Sequence, residues 1–81
     1  MLHEMKILEQ YYADVYSGAK TFELRKDDRN VQVGDTLLLR EWTGQFYTGR
    51  QIPANVTYVL RDCTQFGLMK GYCIIGIDAD I

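Results

Sequence analysis

Lys20, Glu23 and Arg25 fall within one short stretch, Gly18-Ala19-Lys20-Thr21-Phe22-Glu23-Leu24-Arg25, and they are the chain's best candidates for recognition chemistry. The alternation over Thr21–Lys26 predicts a strand, with Phe22 and Leu24 on one face and Thr21, Glu23 and Arg25 on the other. Two residues of strand rise place Glu23 and Arg25 about 7 Å apart. Lys20 lies just upstream, on a stem long enough to swing over the same face. Two cations supply donors for phosphate or carbonyl oxygens, and one carboxylate accepts from an amino or hydroxyl group. That set suits a nucleobase edge or a ribose. Arginine would hold a planar anion through its fork, whereas lysine acts as a point charge. The same spacing also fits a solvated strand edge, where an exposed Glu–Arg pair contributes about 0–1 kcal/mol.

Further candidates flank this group. Arg40 and Trp42 alternate onto one face of a later strand, opposite Leu37 and Leu39. If that face is shared with Glu23 and Arg25, the indole could stack a base, a contact that contributes about 1–3 kcal/mol. If not, Trp42 plugs the barrel end. Tyr47, Arg50 and Tyr72 are expected in or beside loops, where they could rim the same cleft. Tyr11 and Tyr12 belong to an apolar helix stripe and are expected in the core. His3 has no serine or cysteine partner in evidence and reads as a hydrogen-bonded structural residue. Lys26-Asp27-Asp28-Arg29 reads as a solvated, self-paired loop.

The elements that must position these groups follow from periodicity. Met1 to Ile7 predicts a short strand, and from Leu8 the period changes, with Leu8, Tyr11, Tyr12 and Val15 on one helical stripe. Gly18 ends that helix, free to take the left-handed conformation. After Thr21–Lys26 come strands at Thr36–Trp42, Ile52–Leu60 and Gly71–Ile77, with a loop bracketed by Gly44 and Gly49. Ile52, Ala54, Val56, Tyr58 and Leu60 are expected on the core face, and Pro53 suggests an edge or a bulge. The order is strand, helix, then four strands. Such short strands, with too little chain for crossover helices, predict a mainly β (α+β) fold, a small closed or half-closed barrel.

The 81 residues make one domain, spanning 1–81, with a small core. The formal net charge of −2 argues against gripping long nucleic acid by charge alone. Residues 20–61 nonetheless carry seven Lys/Arg against five Asp/Glu, a mildly basic centre between acidic ends. Cys63 and Cys73 lack metal-ligand spacing and the chain has one histidine, so neither a metal nor a cofactor is expected. No apolar run approaches the roughly 20 residues that span a bilayer, which leaves the cytoplasm as the expected location, with no membrane partner.

The segment Gly18-x-Lys20-x-x-Glu23-x-Arg25 resembles the G-x-K-x-x-E-x-R motif of ASCH domains, which share the PUA-like barrel. Its placement fits, after a short helix and before a Val33-Gly34-Asp35 turn. The phrases His3-x-x-Lys6-Ile7, Leu39-Arg40-Glu41-Trp42, Tyr47-Thr48-Gly49-Arg50 and Gly71-Tyr72 are similar to a small, uncharacterised bacterial and phage branch of that superfamily. The resemblance implies a PUA-like barrel of about five strands that binds RNA, or a nucleotide- or nucleoside-like fragment of it, beside the motif. It also implies an alternative, hydrolysis of the amide of an acylated cytidine, in a branch that keeps the motif lysine but has threonine where this chain has Glu23. As an enzyme, this chain would use Lys20 as base or nucleophile and Glu23 as proton shuttle or oriented acceptor. Against that, Arg61–Lys70 contains no glutamate where the enzymatic branch supplies one. A third alternative is a phage- or mobile-element-encoded module that binds a host or phage protein through Tyr47 and Tyr72.

Overall fold

Alternation along the first strand sets the layering of the whole molecule. In the computed structural model, which describes residues 1–80, β1 (Leu2–Leu8) buries His3, Met5 and Ile7 and exposes the residues between them. It runs straight into α1 (Glu9–Tyr16), whose Tyr12 and Val15 pack inward. Then follow β2 (Phe22–Lys26), β3 (Thr36–Trp42), β4 (Tyr47–Leu60), a single 3-10 turn at Thr64–Phe66, and β5 (Tyr72–Ala79). The fold is mainly β, one five-stranded sheet curled into a half-barrel with a short helix after the first strand. Strand order is β1-β3-β4-β5-β2, with β1 parallel to β3 and every other pairing antiparallel.

The concave face holds the core: Met5, Ile7, Leu37, Leu39, Ile52, Ala54, Val56, Cys73, Ile75 and Ile77, covered by Tyr12 and Val15 of α1 and by Val31. Leu37 and Leu39 point inward while Arg40 and Trp42 take the opposite face, as the alternation requires. Both cysteines are free thiols, Cys73 buried and Cys63 half-buried. Among the described residues no helix is long and apolar enough to cross a membrane.

β4 departs from the expected pattern in three ways. It begins at Tyr47, not Ile52, so the expected loop between Gly44 and Gly49 shrinks to a tight turn at Thr43–Phe46. The register with β5 slips between Val56 and Tyr58, which turns Tyr58 outward at 63% exposure. An extra residue in one strand reverses the alternation beyond it, so Tyr58 is not a core residue. Pro53 lies in a central strand; its carbonyl accepts the Asp80 N–H where β5 ends, so its missing N–H falls at the margin of the ladder.

The turn before β3 is tied by Asp35. Its carboxylate accepts from His3 Nε2 at 2.9 Å, from the Gln32 N–H at 3.0 Å and from the Met1 amine at 3.1 Å. His3 is therefore structural. These donors, His3 foremost, hold the Asp35 carboxyl well below its ordinary value. A carboxyl that binds its proton more weakly in the folded chain stabilises the fold above about pH 4 and loses that contribution as pH falls. Asp35→Asn should therefore lower stability at pH 7 and flatten the acid limb of a stability–pH curve, its deficit from the parent narrowing steadily as pH falls below about 4. Denaturant melts across that range check it.

Candidate functional site

Two sheet edges face each other across the open side of the half-barrel, and the charged motif lies on one of them. β1 pairs only with β3, and β2 only with β5. The hydrogen-bond parity of each strand turns the backbone groups of Glu4 and Lys6, and of Phe22 and Leu24, toward this seam. No strand ladder closes it. Instead Arg25 of β2 donates to the Lys6 carbonyl, and Arg29, in the following loop, donates to that of Glu4. Arg29 is thus engaged across the seam, while Asp27 takes a bidentate contact from Arg61 at 2.8 and 3.2 Å. The loop is not the self-paired segment expected from its alternating signs.

Glu23 occupies the inner face of β2 at 3% exposure, with Arg25 half-buried beside it and Phe22 and Leu24 turned outward. Its Oε1 accepts from Arg25 Nε at 3.1 Å and Nη2 at 2.6 Å, and its Oε2 from Lys20 Nζ. Lys20 Nζ also donates to the Phe22 carbonyl at 2.7 Å. Gly18 makes this placement local. With φ +85° it ends α1, and the Lys20 N–H then folds back onto the Asp14 carbonyl at 3.0 Å. The lysine is fixed against the helix end and its ammonium is aimed along β2.

Beside the trio lies a cavity of about 420 Å³ lined by Lys6, Ile7, Leu8, Tyr11, Lys20, Phe22, Glu23, Leu24 and Arg25. This is within the usual size of a small-molecule site. Apolar and aromatic side chains make most of the wall, with Lys20 Nζ 5.5 Å from the Tyr11 ring centre and 5.0 Å from that of Phe22. Three cations stand against one carboxylate, so the hollow is locally positive in a chain of net charge −2. Among the described residues no group of His, Cys, Asp and Glu is placed to hold a metal.

The remaining candidates are elsewhere. Arg40 and Trp42 lie on the outer face of β3, not on the side shared by Glu23 and Arg25. Tyr47 packs edge-on against Trp42 with ring centres 5.0 Å apart. Tyr72 stands at the start of β5 opposite Lys26 and does not line the cavity. Arg50 lies outside it too. Its guanidinium forks onto Glu41 at 2.8 and 2.8 Å, and Thr48 Oγ1 donates to the same carboxylate at 2.7 Å. Conversely, Tyr11 leaves the expected core; at 43% exposure it lines the hollow with Leu8 and Lys6.

Glu41 was not singled out by residue type, yet it is 1% exposed on the inner face of β3. Thr48, Gly49 and Arg50 stand opposite it alone, because the β3–β4 register slips there and Gly49 takes φ +95°. The two side chains flanking the glycine therefore converge on one carboxylate. Arg50 and then Thr48 hold the Glu41 carboxyl below its ordinary value, and Glu41 in turn raises that of Arg50. The Arg50 guanidinium also sits 5.0 Å from the Tyr12 ring centre, where burial pushes the phenol up.

Removing the Glu23 carboxylate strands two half-buried cations. Glu23→Ala should cost about 1–3 kcal/mol in a urea melt, whereas Lys20→Ala, which leaves Arg25 on the carboxylate, should cost less.

Comparison with known sequences gives a family. A 58-residue stretch is 45% identical to the "Uncharacterized 12.9 kDa protein in GpA 3'region" of Escherichia phage P2, covering 72% of this chain and 53% of the phage protein. The chain thus spans about half the length of that relative. The family model described as "Domain of unknown function (DUF3850)" matches residues 2–77, nearly the whole sequence, including the seam, the cavity and both buried carboxylates. The chain therefore belongs to the DUF3850 family.

Proposed function

We propose that this chain binds a nucleotide- or nucleoside-like ligand, free or within RNA, in the cavity beside Lys20, Glu23 and Arg25. The observation that carries this is the buried Glu23 carboxylate, held between two cations on the wall of a mostly apolar hollow. A buried ion pair is weak support for stability alone, since apolar replacements often do as well. Placed at a cavity, the same groups offer what a nucleotide presents in complement. Phosphate or carbonyl oxygens take the remaining donors of Lys20 and Arg25, an amino or hydroxyl group takes Glu23, and a base lies against Tyr11, Phe22 and Leu24. The resemblance of Gly18-x-Lys20-x-x-Glu23-x-Arg25 to the ASCH motif supports the same reading. Free thiols at Cys63 and Cys73 suit a reducing compartment such as the cytoplasm.

Binding is favoured over amide hydrolysis. A lysine base needs a free lone pair, and the Lys20 nitrogen is instead engaged as a donor to Glu23 and to the Phe22 carbonyl. An expectation follows for a panel of nucleosides, nucleoside monophosphates and acylated cytidines followed by amide chemical shifts. Shifts should cluster at residues 6–8, 11 and 20–25, and Lys20→Ala should weaken binding about ten-fold or more, the loss of one charge-assisted contact. Turnover of an acylated cytidine that vanishes in Lys20→Ala would favour the enzyme instead. No shift at these positions for any ligand would remove the proposal.

A further inference from the structure

A second cluster of cations and rings lies on the outer face, next to the cavity, and the function above does not use it. Register sets Lys6 of β1 beside Arg40 of β3, Leu8 beside Trp42, and Trp42 opposite Tyr47 of β4. Lys6 Nζ sits 4.0 Å from the Trp42 ring centre, and Arg40 Cζ 3.8 Å from that of Tyr47. The two rings meet edge to face at 68°. Among the described residues neither Lys6 nor Arg40 makes an ion pair, in contrast to Lys20, Arg25, Arg50 and Arg61. Lys6 belongs to both places, lining the cavity and covering the indole.

We infer that Lys6, Arg40, Trp42 and Tyr47 form a second nucleotide position, continuous with the cavity, so that the preferred ligand is a short single-stranded nucleic acid and not a mononucleotide. The inference rests on the cavity holding a nucleotide. A strand leaving it over β1 meets Lys6 first, whose ammonium moves from the ring to a phosphate and uncovers the indole face for the next base. Arg40 takes the following phosphate from its place over Tyr47. Stacking on a π face with unpaired cations alongside is how single strands are held without sequence readout. Charge complementarity selects this occupant: two cations without carboxylate partners call for a polyanion, while a net charge of −2 keeps the footprint short.

Trp42 is the sole tryptophan, so its fluorescence reports on this platform alone. The full chain would be titrated with cytidine 5′-monophosphate, an eight-nucleotide mixed-sequence RNA and the matching DNA, with amide shifts at residues 20–25 recorded in parallel. The octamer should quench Trp42 and bind at least ten-fold tighter than the monophosphate, which shifts the cavity amides but leaves the indole unchanged. Trp42→Ala should remove about ten-fold or more of octamer affinity while monophosphate binding stays as it was. Trp42→Phe, which keeps a ring, should recover part of it if the packing of β3 and β4 is intact. Arg40→Ala should reduce the slope of log affinity against log salt by about 0.7. Tighter binding of the RNA than of the DNA would assign the ligand to RNA, and equal binding to single strands of either kind; both support the platform. An octamer no tighter than the monophosphate, or insensitive to Trp42→Ala, overturns this inference and leaves the cavity intact. Quenching without shifts at residues 20–25 overturns the cavity and, with it, the continuous two-position site inferred here. No binding of any probe overturns both.

Discussion

The bond from Arg25 to the Lys6 carbonyl is the tie on which the site depends, because it joins two sheet edges that no backbone ladder connects. The arginine can reach across only because Glu23, two residues back on the same face, takes its other donors. Glu23 in turn is met inside the barrel by the Lys20 ammonium, which reaches it from the helix end. Carboxylate, fork and ammonium are therefore interdependent. Take the carboxylate away, and two cations are left unpaired; take the arginine away, and the seam loses a bridge. The cavity exists where the edges are bridged by side chains, which leave space between them that a completed ladder would fill.

The barrel uses the same device at a second place. Glu41 also faces inward from a strand and is also met by an arginine, but that arginine arrives from a bulge in β4 and not from its own strand. The contrast separates the roles. Around Glu41 the carboxylate is taken up by Arg50 and Thr48, and none of the three lines the cavity beside Glu23. Around Glu23 the cations outnumber the carboxylate and border open space. A chain of this length has a small apolar core, so ionic and hydrogen-bonded ties at Glu23, Glu41, Asp27 and Asp35 complete what burial of Leu37, Leu39, Ile52 and Ile75 begins.

Much of this was legible in the residues. Period-2 alternation placed Leu37 and Leu39 inside and Arg40 and Trp42 outside, and Gly18 marked where the helix ends and the charged stretch begins. Grouping Lys20, Glu23 and Arg25 required only the spacing. What alternation could not give is which face of β2 is the inner one, since Phe22 and Leu24 look like the core pair and are instead turned out. Bulges defeat the same logic. Tyr58 was misplaced by the slip after Val56, and the convergence of Thr48 and Arg50 on Glu41 arises from three residues opposing one. Tyr11 shows a third limit, because a helix of two turns beside a sheet edge buries a narrower stripe than its sequence presents. The separation of Tyr47, Arg50 and Tyr72 from the cavity depends on strand order, which local pattern does not encode.

Amide hydrogen exchange tests the central claim most directly. If the seam is bridged by arginine side chains alone, the amides of Lys6, Phe22 and Leu24 face it without backbone partners. They should then exchange orders of magnitude faster than those of Met5, Ile7, Glu23 and Arg25, which belong to the ladders with β3 and β5. Alternating protection along both strands is the predicted result. Uniform slow exchange through Lys6 and Leu24 would mean that β1 and β2 pair with each other, the barrel is closed, and no cavity lies between them.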